Sequence, residues 1–319
     1  MADAAVHDPV REWAHPAVIL VATDLSDLDR LMPHALEQAA ASGARLLLLH
    51  AMPSVAAVSA DASGLPYYDP TGALQSADKA LQHWCTLAHS RGIHCDALVR
   101  EGQPIHEIGV AIRQFHADRV IVGTRSRGKL GKLLVGSVAE QVLRSVNLPV
   151  ITVGPEAHLQ VPGGRDPVVL LATTLREASR PGAALACRIT AAQNAHLLLL
   201  HVLPPIDEMQ RKHLPTGVDS AAMHELRRLA EETAANFGIV AEPLVAHGNP
   251  IIEILATASE RHAKLIVLSA TQRSAFENLT RDRTIYRVLA HARCPVLTLR
   301  EPDTMVAEHH TETATAHHG

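Results

Sequence analysis

Short, continuous apolar runs recur along the chain, each bounded by turn residues. Ala17 to Ala22 opens the series, followed by Leu46 to Leu49, Arg119 to Val122 and Val150 to Val153. Runs of this length without polar alternation predict strands buried on both faces, as in a parallel sheet. Longer stretches with helical spacing lie between them: Leu28 to Ala41, Ala73 to His89, Glu107 to Phe115 and Ser137 to Ser145. Gly43 and Gly92 follow the first two, where a helix commonly ends on glycine. The order β-α-β-α-β-α-β-α-β predicts a doubly wound α/β sheet with helices on both faces.

The pattern then repeats. Val168 to Leu175 restates Val18 to Leu25, and Ala195 to His201 restates Ala44 to His50, at offsets of 150 and 151 residues. Pro215-Thr216-Gly217 matches Pro70-Thr71-Gly72, Gly248-Asn249-Pro250-Ile251 matches Gly102-Gln103-Pro104-Ile105, and Cys294 to Thr298 resembles Leu148 to Thr152. The Pro- and Gly-bearing matches read as turns before helices. Second-half helices are expected near Ala178 to Ala192, Ser220 to Phe237, Ile251 to Arg261 and Thr284 to Ala292. The expected layout is an extension (1–16), a first domain (17–154), a linker (155–166), a second domain (167–300) and a polar tail (301–319). Each domain is expected to be a five-stranded parallel sheet flanked by helices.

Composition narrows the class. The chain has 319 residues, 47% hydrophobic and 19% charged, which fits a packed core and argues against disorder. Lys plus Arg is 29 against 33 Asp plus Glu, a net charge of −4. Neither that charge nor the 3% aromatic content suits a nucleic-acid binder. No apolar run approaches the roughly 18 residues of a membrane span, and Met1 to His15 does not read as a secretory signal. Cys85, Cys95, Cys187 and Cys294 are spread out, form no CxxC, and read as reduced, buried thiols in a cytoplasmic protein.

Ligands of open α/β sheets bind beyond the carboxyl ends of the strands, where strand order switches. Thr23-Asp24-Leu25-Ser26 follows the first strand, and Gly123 to Lys132 follows the fourth, with Gly136-Ser137 opening the next helix. Glycines let backbone N–H groups approach phosphate oxygens, a helix start adds its positive dipole end, and Arg125, Arg127, Lys129 and Lys132 add charge. A solvated basic loop is the other reading. Gly123 to Lys129 fits the start of a P-loop pattern, but Leu130 has no hydroxyl for magnesium. No GxSxG or HExxH appears, so no catalytic residue is assigned.

These residues resemble the universal stress protein family in its tandem, two-domain form, over residues 17 to 300. Nucleotide-binding members carry G-x2-G-x9-G-[ST] after the fourth strand and an aspartate after the first. Gly123 matches the first glycine, Gly136-Ser137 the closing pair and Asp24 the aspartate, while Ser126 stands at the second glycine. The resemblance implies a Rossmann-like, adenine-nucleotide alpha hydrolase-like fold that binds ATP or another adenine nucleotide, with or without Mg2+. It implies that Ala22, Thr23 and Asp24 meet base and ribose, and that Ala51 and Val122 line the base pocket. Gly123, Arg125, Ser126, Gly136, Ser137 and Val138 would then hold ribose and phosphates. It further implies pairing of the domains through their fifth strands, Val150 to Val153 and Val296 to Leu299, and is compatible with a homodimer and with unidentified protein partners.

The second half has lost the motif. Gly123 maps to Ser269, Ser126 to Gln272, Gly136 to Asp282, Ser137 to Arg283 and Asp24 to Thr174. A carboxylate at Asp282 would repel a phosphate. The second domain is therefore expected to be a structural partner. A nucleotide-independent scaffold and a slow ATPase stay open as alternatives. His50 and His201 end equivalent strands and read as structural, and His309-His310 and His317-His318 in the tail form no metal set.

Overall fold

A computed structural model describes residues 13–52, 69–124, 136–158, 166–175, 180–205, 218–271 and 283–301. The tail, most of the linker and the loop carrying Arg125 and Ser126 lie outside the described residues, as does Asp282.

The apolar runs form strands and the helically spaced stretches pack over them. The first half runs β1 (Val18–Thr23), α1 (Leu28–Ser42), β2 (Arg45–Met52), α2 (Pro70–Ser90), β3 (Cys95–Glu101), α3 (Pro104–Phe115), β4 (Arg119–Gly123), α4 (Ser137–Ser145) and β5 (Val150–Val153). The second half repeats it as β6 (Val168–Ala172), α5 (Arg180–Ala192), β7 (His196–Leu203), α6 (Val218–Phe237), β8 (Ala241–His247), α7 (Pro250–Glu260), β9 (Ala263–Thr271), α8 (Arg283–His291) and β10 (Val296–Glu301).

Strand order is β3-β2-β1-β4-β5-β10-β9-β6-β7-β8, ten strands in one sheet. Each half is a five-stranded parallel sheet, as expected from its continuous apolar runs. The two meet along β5 and β10, which pair antiparallel with Ile151 opposite Leu297. Both edges that this seam hides would otherwise present unpaired backbone groups. One core layer, holding Leu31, Leu46 and Leu48, lies under the α1 and α2 face and continues into the α5 side through Leu185 and Leu199. The other, holding Leu20, Val122 and Val142, lies under α3 and α4 and continues to Val288 of α8.

The turns expected before helices are corrected in one respect. Pro70, Pro104 and Pro250 are the first residues of α2, α3 and α7, within the helices. Proline suits that position because its missing N–H has no intrahelical partner there and its φ is already helical. Asp69 caps α2 by accepting from the N–H groups of Thr71 and Gly72 at 3.1 and 3.0 Å.

Order reverses between β1 and β4, and two contacts fix that junction from below. Asp118 accepts the N–H groups of Ala17 and Val18 at 2.8 and 3.0 Å. Buried Arg119 donates to Gln38 Oε1 at 2.8 Å and to the Trp13 carbonyl at 2.6 Å. At the upper ends the parallel ladder sets Ala22 of β1 beside Val122 of β4.

Candidate functional site

A cavity of about 540 Å³ opens above those two strand ends. That volume lies within the range of small-molecule sites, roughly 300–1,000 Å³. One wall is apolar, built by Ala22, Leu49, Ala51, Ile108 and Val122. The polar part of the lining contains Asp24, Ser26, Asp27, Arg30 and Thr124. Gly136, Ser137 and Val138 close it at the start of α4.

Alternation along β1 and β4 explains the division. Ala22 and Val122 point to the α3/α4 layer, and the chain then leaves the sheet in turns whose backbone groups are held by side chains. After β1, Leu25 takes a left-handed conformation with φ 73°. Its N–H donates to Thr23 Oγ1 at 2.9 Å, and Thr23 Oγ1 donates in turn to Asp27 Oδ1 at 2.6 Å. Asp24 accepts from the Ser26 N–H and hydroxyl at 3.0 and 2.6 Å, a local Asx-turn that holds its carboxylate at the rim.

Gly123 has no room for a side chain. A Cβ there would stand 2.1 Å from Asp27 Oδ2 and 3.1 Å from Arg30 Nη2. Arg30 continues across to donate to the Thr124 carbonyl at 2.8 Å, which ties the start of α1 to the end of β4. Burial pushes the Asp27 carboxyl above its ordinary value of 3.8. The Thr23 hydroxyl and Arg30 oppose that shift, and neighbouring Asp24 adds to it. Thr124 Oγ1 is buried without a hydrogen-bond partner among the described residues.

The start of α4 is capped by Gly136, which has no side chain to satisfy the first N–H groups of the helix. Such groups and the helix dipole favour an anion. Gln103, ahead of α3, likewise makes no side-chain cap, and Pro104 of that helix reaches the same cavity.

Of the sequence-expected site residues, the fold brings Ala22, Thr23, Asp24, Ala51, Val122, Gly123, Gly136, Ser137 and Val138 around one cavity. Arg125 and Ser126 lie outside the described residues. Sequence reasoning missed Asp27, Arg30 and Thr124. The four-residue spacing from Thr23 to Asp27 is a signal for the first, but it becomes legible only once Leu25 is known to turn left-handed. Among the described residues no group of three or more His, Cys, Asp or Glu side chains could hold a metal. No helix of the described residues is long and apolar enough to cross a membrane.

A tandem, doubly wound sheet with a cleft at its first switch point is a Rossmann-like α/β architecture. The profile of the universal stress protein family matches the chain twice, over residues 17–154 and 167–300, so the chain belongs to that family in tandem form. A universal stress protein of Thermus aquaticus is 34% identical over 139 residues, 42% of this chain and 96% of that one. The universal stress protein YxiE of Bacillus subtilis is 35% identical over 71 residues, 22% of this chain and 48% of that protein. In structure, a universal stress protein from Archaeoglobus fulgidus superposes with a TM-score of 0.68 at 20% identity, over 90% of this chain and 99% of that one.

Proposed function

We propose that the first domain binds an adenine nucleotide and that the second is its structural partner, in a cytoplasmic stress-response protein whose output is an altered surface rather than a chemical product. The observation that carries this reading is the cavity itself, lined both by apolar side chains and by a helix start that has no side-chain cap. A purine suits the first and a phosphate the second. Ala22, Thr23, Asp24, Ala51 and Val122 take the base and ribose. Gly123, Gly136, Ser137 and Val138 take the phosphates, joined by Arg125 and Ser126 from the adjoining loop. The described residues fit such a ligand in two further ways. Gly123 keeps the floor clear, and the buried Thr124 hydroxyl offers an unused polar group.

Calorimetric titration of the full chain with ATP, with and without Mg2+, tests the reading, with Asp24→Ala as control. The expected result is one nucleotide per chain, lost in the variant. Absence of heat at high micromolar nucleotide would move the protein to a nucleotide-independent scaffold. Steady phosphate release above a Ser137→Ala control would make it a slow ATPase. Parallel titrations with ADP, AMP and a cyclic nucleotide rank the ligands.

A further inference from the structure

Two of the four cysteines form a pair that the spacing does not reveal. Cys85 lies near the end of α2 and Cys95 begins β3, ten residues later. The helix folds back over the sheet's outermost strand, and the two sulfurs stand 2.8 Å apart. Both side chains are buried, at 2% and 3% exposure. The backbone holds them there from both sides. Ile93 N–H returns to the Ala88 carbonyl at 3.0 Å, and Cys95 N–H donates to His89 Nε2 at 3.2 Å.

We propose that Cys85 and Cys95 are a modification site: a dithiol that closes to an intrachain disulfide when a peroxide or a small-molecule disulfide reaches it. Cys85 is the attacking group. The two sulfurs lie within hydrogen-bond reach and either can donate; with Cys95 as the donor, the Cys85 thiolate is favoured and ionisation of Cys95 is held back. The Cys85 thiolate attacks one peroxide oxygen and breaks the O–O bond. This gives a sulfenic acid and hydroxide, which takes up a proton. The Cys95 sulfur then displaces water from the sulfenic acid and forms the S–S bond. Two thiols and one peroxide become one disulfide and two waters, the sulfurs losing two electrons to the peroxide oxygens. With a small disulfide as oxidant, the same bond forms by two exchanges and releases two small thiols.

The rest of the chain supplies the contrast. Cys187 and Cys294 are also buried, and burial pushes each thiol up to about 12 with no second cysteine to lower it. The site lies on the outermost strand of the sheet, and the neighbours of Cys95 in sequence, His94 and Asp96, have exposed side chains.

The test uses the full chain, reduced, desalted and treated with hydrogen peroxide or oxidised glutathione. It is then alkylated under denaturing conditions and mapped without reduction. The expected result is one disulfide-linked peptide pair, Cys85 to Cys95. The chain loses about 2 Da, and alkylation falls from four sites to two, both effects reversed by dithiothreitol. Four free thiols after treatment overturn the proposal, as does any other pairing or oxidation of Cys85 that stops at the sulfinic acid. Two variants check the order of events. Cys95→Ser is expected to leave a dimedone-trappable sulfenic acid on Cys85, and Cys85→Ser to leave Cys95 unmodified. The reverse pattern overturns the assignment of Cys85 as the attacking group.

Discussion

The two halves of this chain share the turn after their first strands and differ at the ends of their fourth strands. After β1 and after β6 the same bend occurs, with Leu25 at φ 73° and Leu175 at φ 60°. In both, the bend's N–H is taken by the threonine two residues before it, at 2.9 and 3.1 Å. His50 and His201 each donate from Nδ1 to the carbonyl of that threonine, at 3.0 and 2.8 Å. Since a carbonyl only accepts, Nδ1 of each ring carries a proton. These features close the fold and are needed twice. The fourth strands then part company. β4 ends at Gly123 opposite Val153, whereas β9 runs on through Ala270 and Thr271, paired with Arg300 and Glu301. β4 stops beside the cavity, and β9 carries its ladder two residues further. A repeat keeps what folding requires in both copies and lets the rest diverge.

The largest effect that would sharpen this contrast is at Gly123. Gly123→Val forces a side chain into Asp27 and Arg30. A loss of about 1–3 kcal/mol in urea unfolding is expected from overpacking, with nucleotide affinity in calorimetry down at least about tenfold. The matched Ser269→Gly change is expected to create no second site. Two nucleotides per chain in that variant would end the idea of a silent half.

Next comes a matched pair expected to behave alike. Gly102 and Gly248 sit at φ 150° and 147°, and a Cβ on either would stand 2.8 or 2.7 Å from the side chain of Glu107 or Glu253. Gly102→Ala and Gly248→Ala should each cost about 1–3 kcal/mol in chemical unfolding. A large cost in one half only would break the equivalence of the repeats.

The smallest effect is a pH dependence at Asp27 of the first half. Folding raises the Asp27 pKa above its ordinary 3.8, so folding favours the protonated form. Its contribution is then complete below 3.8 and is lost as pH rises through the folded value. Asp27→Asn keeps an oxygen for the Thr23 hydroxyl and removes the buried charge. It should raise Tm at neutral pH and give little change near pH 3.5. An equal rise at both pH values would contradict the assignment.

Much of the fold was legible because strands buried on both faces must be apolar nearly throughout, as β1 is from Val18 to Ala22. The repeat in turn made the two five-stranded halves readable, while their seam along β5 and β10 was an expectation from the family resemblance. The edge strands were harder. β3 carries Asp96, Arg100 and Glu101 among its apolar residues, since only part of its surface is covered. For the site, glycine and helix-start positions were legible because their backbone roles are tied to residue type. Asp27 and Arg30 were not, since what makes them part of the cavity is a bend at Leu25 that nothing in leucine demands. The Cys85–Cys95 pair was hidden for a related reason. A spacing of ten residues says nothing of a helix that doubles back onto the next strand.

The antiparallel seam between β5 and β10 has one more consequence. Strands that meet this way between separate chains would part on dilution. Here the partner is tethered, at an effective concentration on the order of millimolar for a short connection. Pairing of the halves is thus independent of how much protein a cell contains, and a change in abundance alters the number of molecules without altering their architecture.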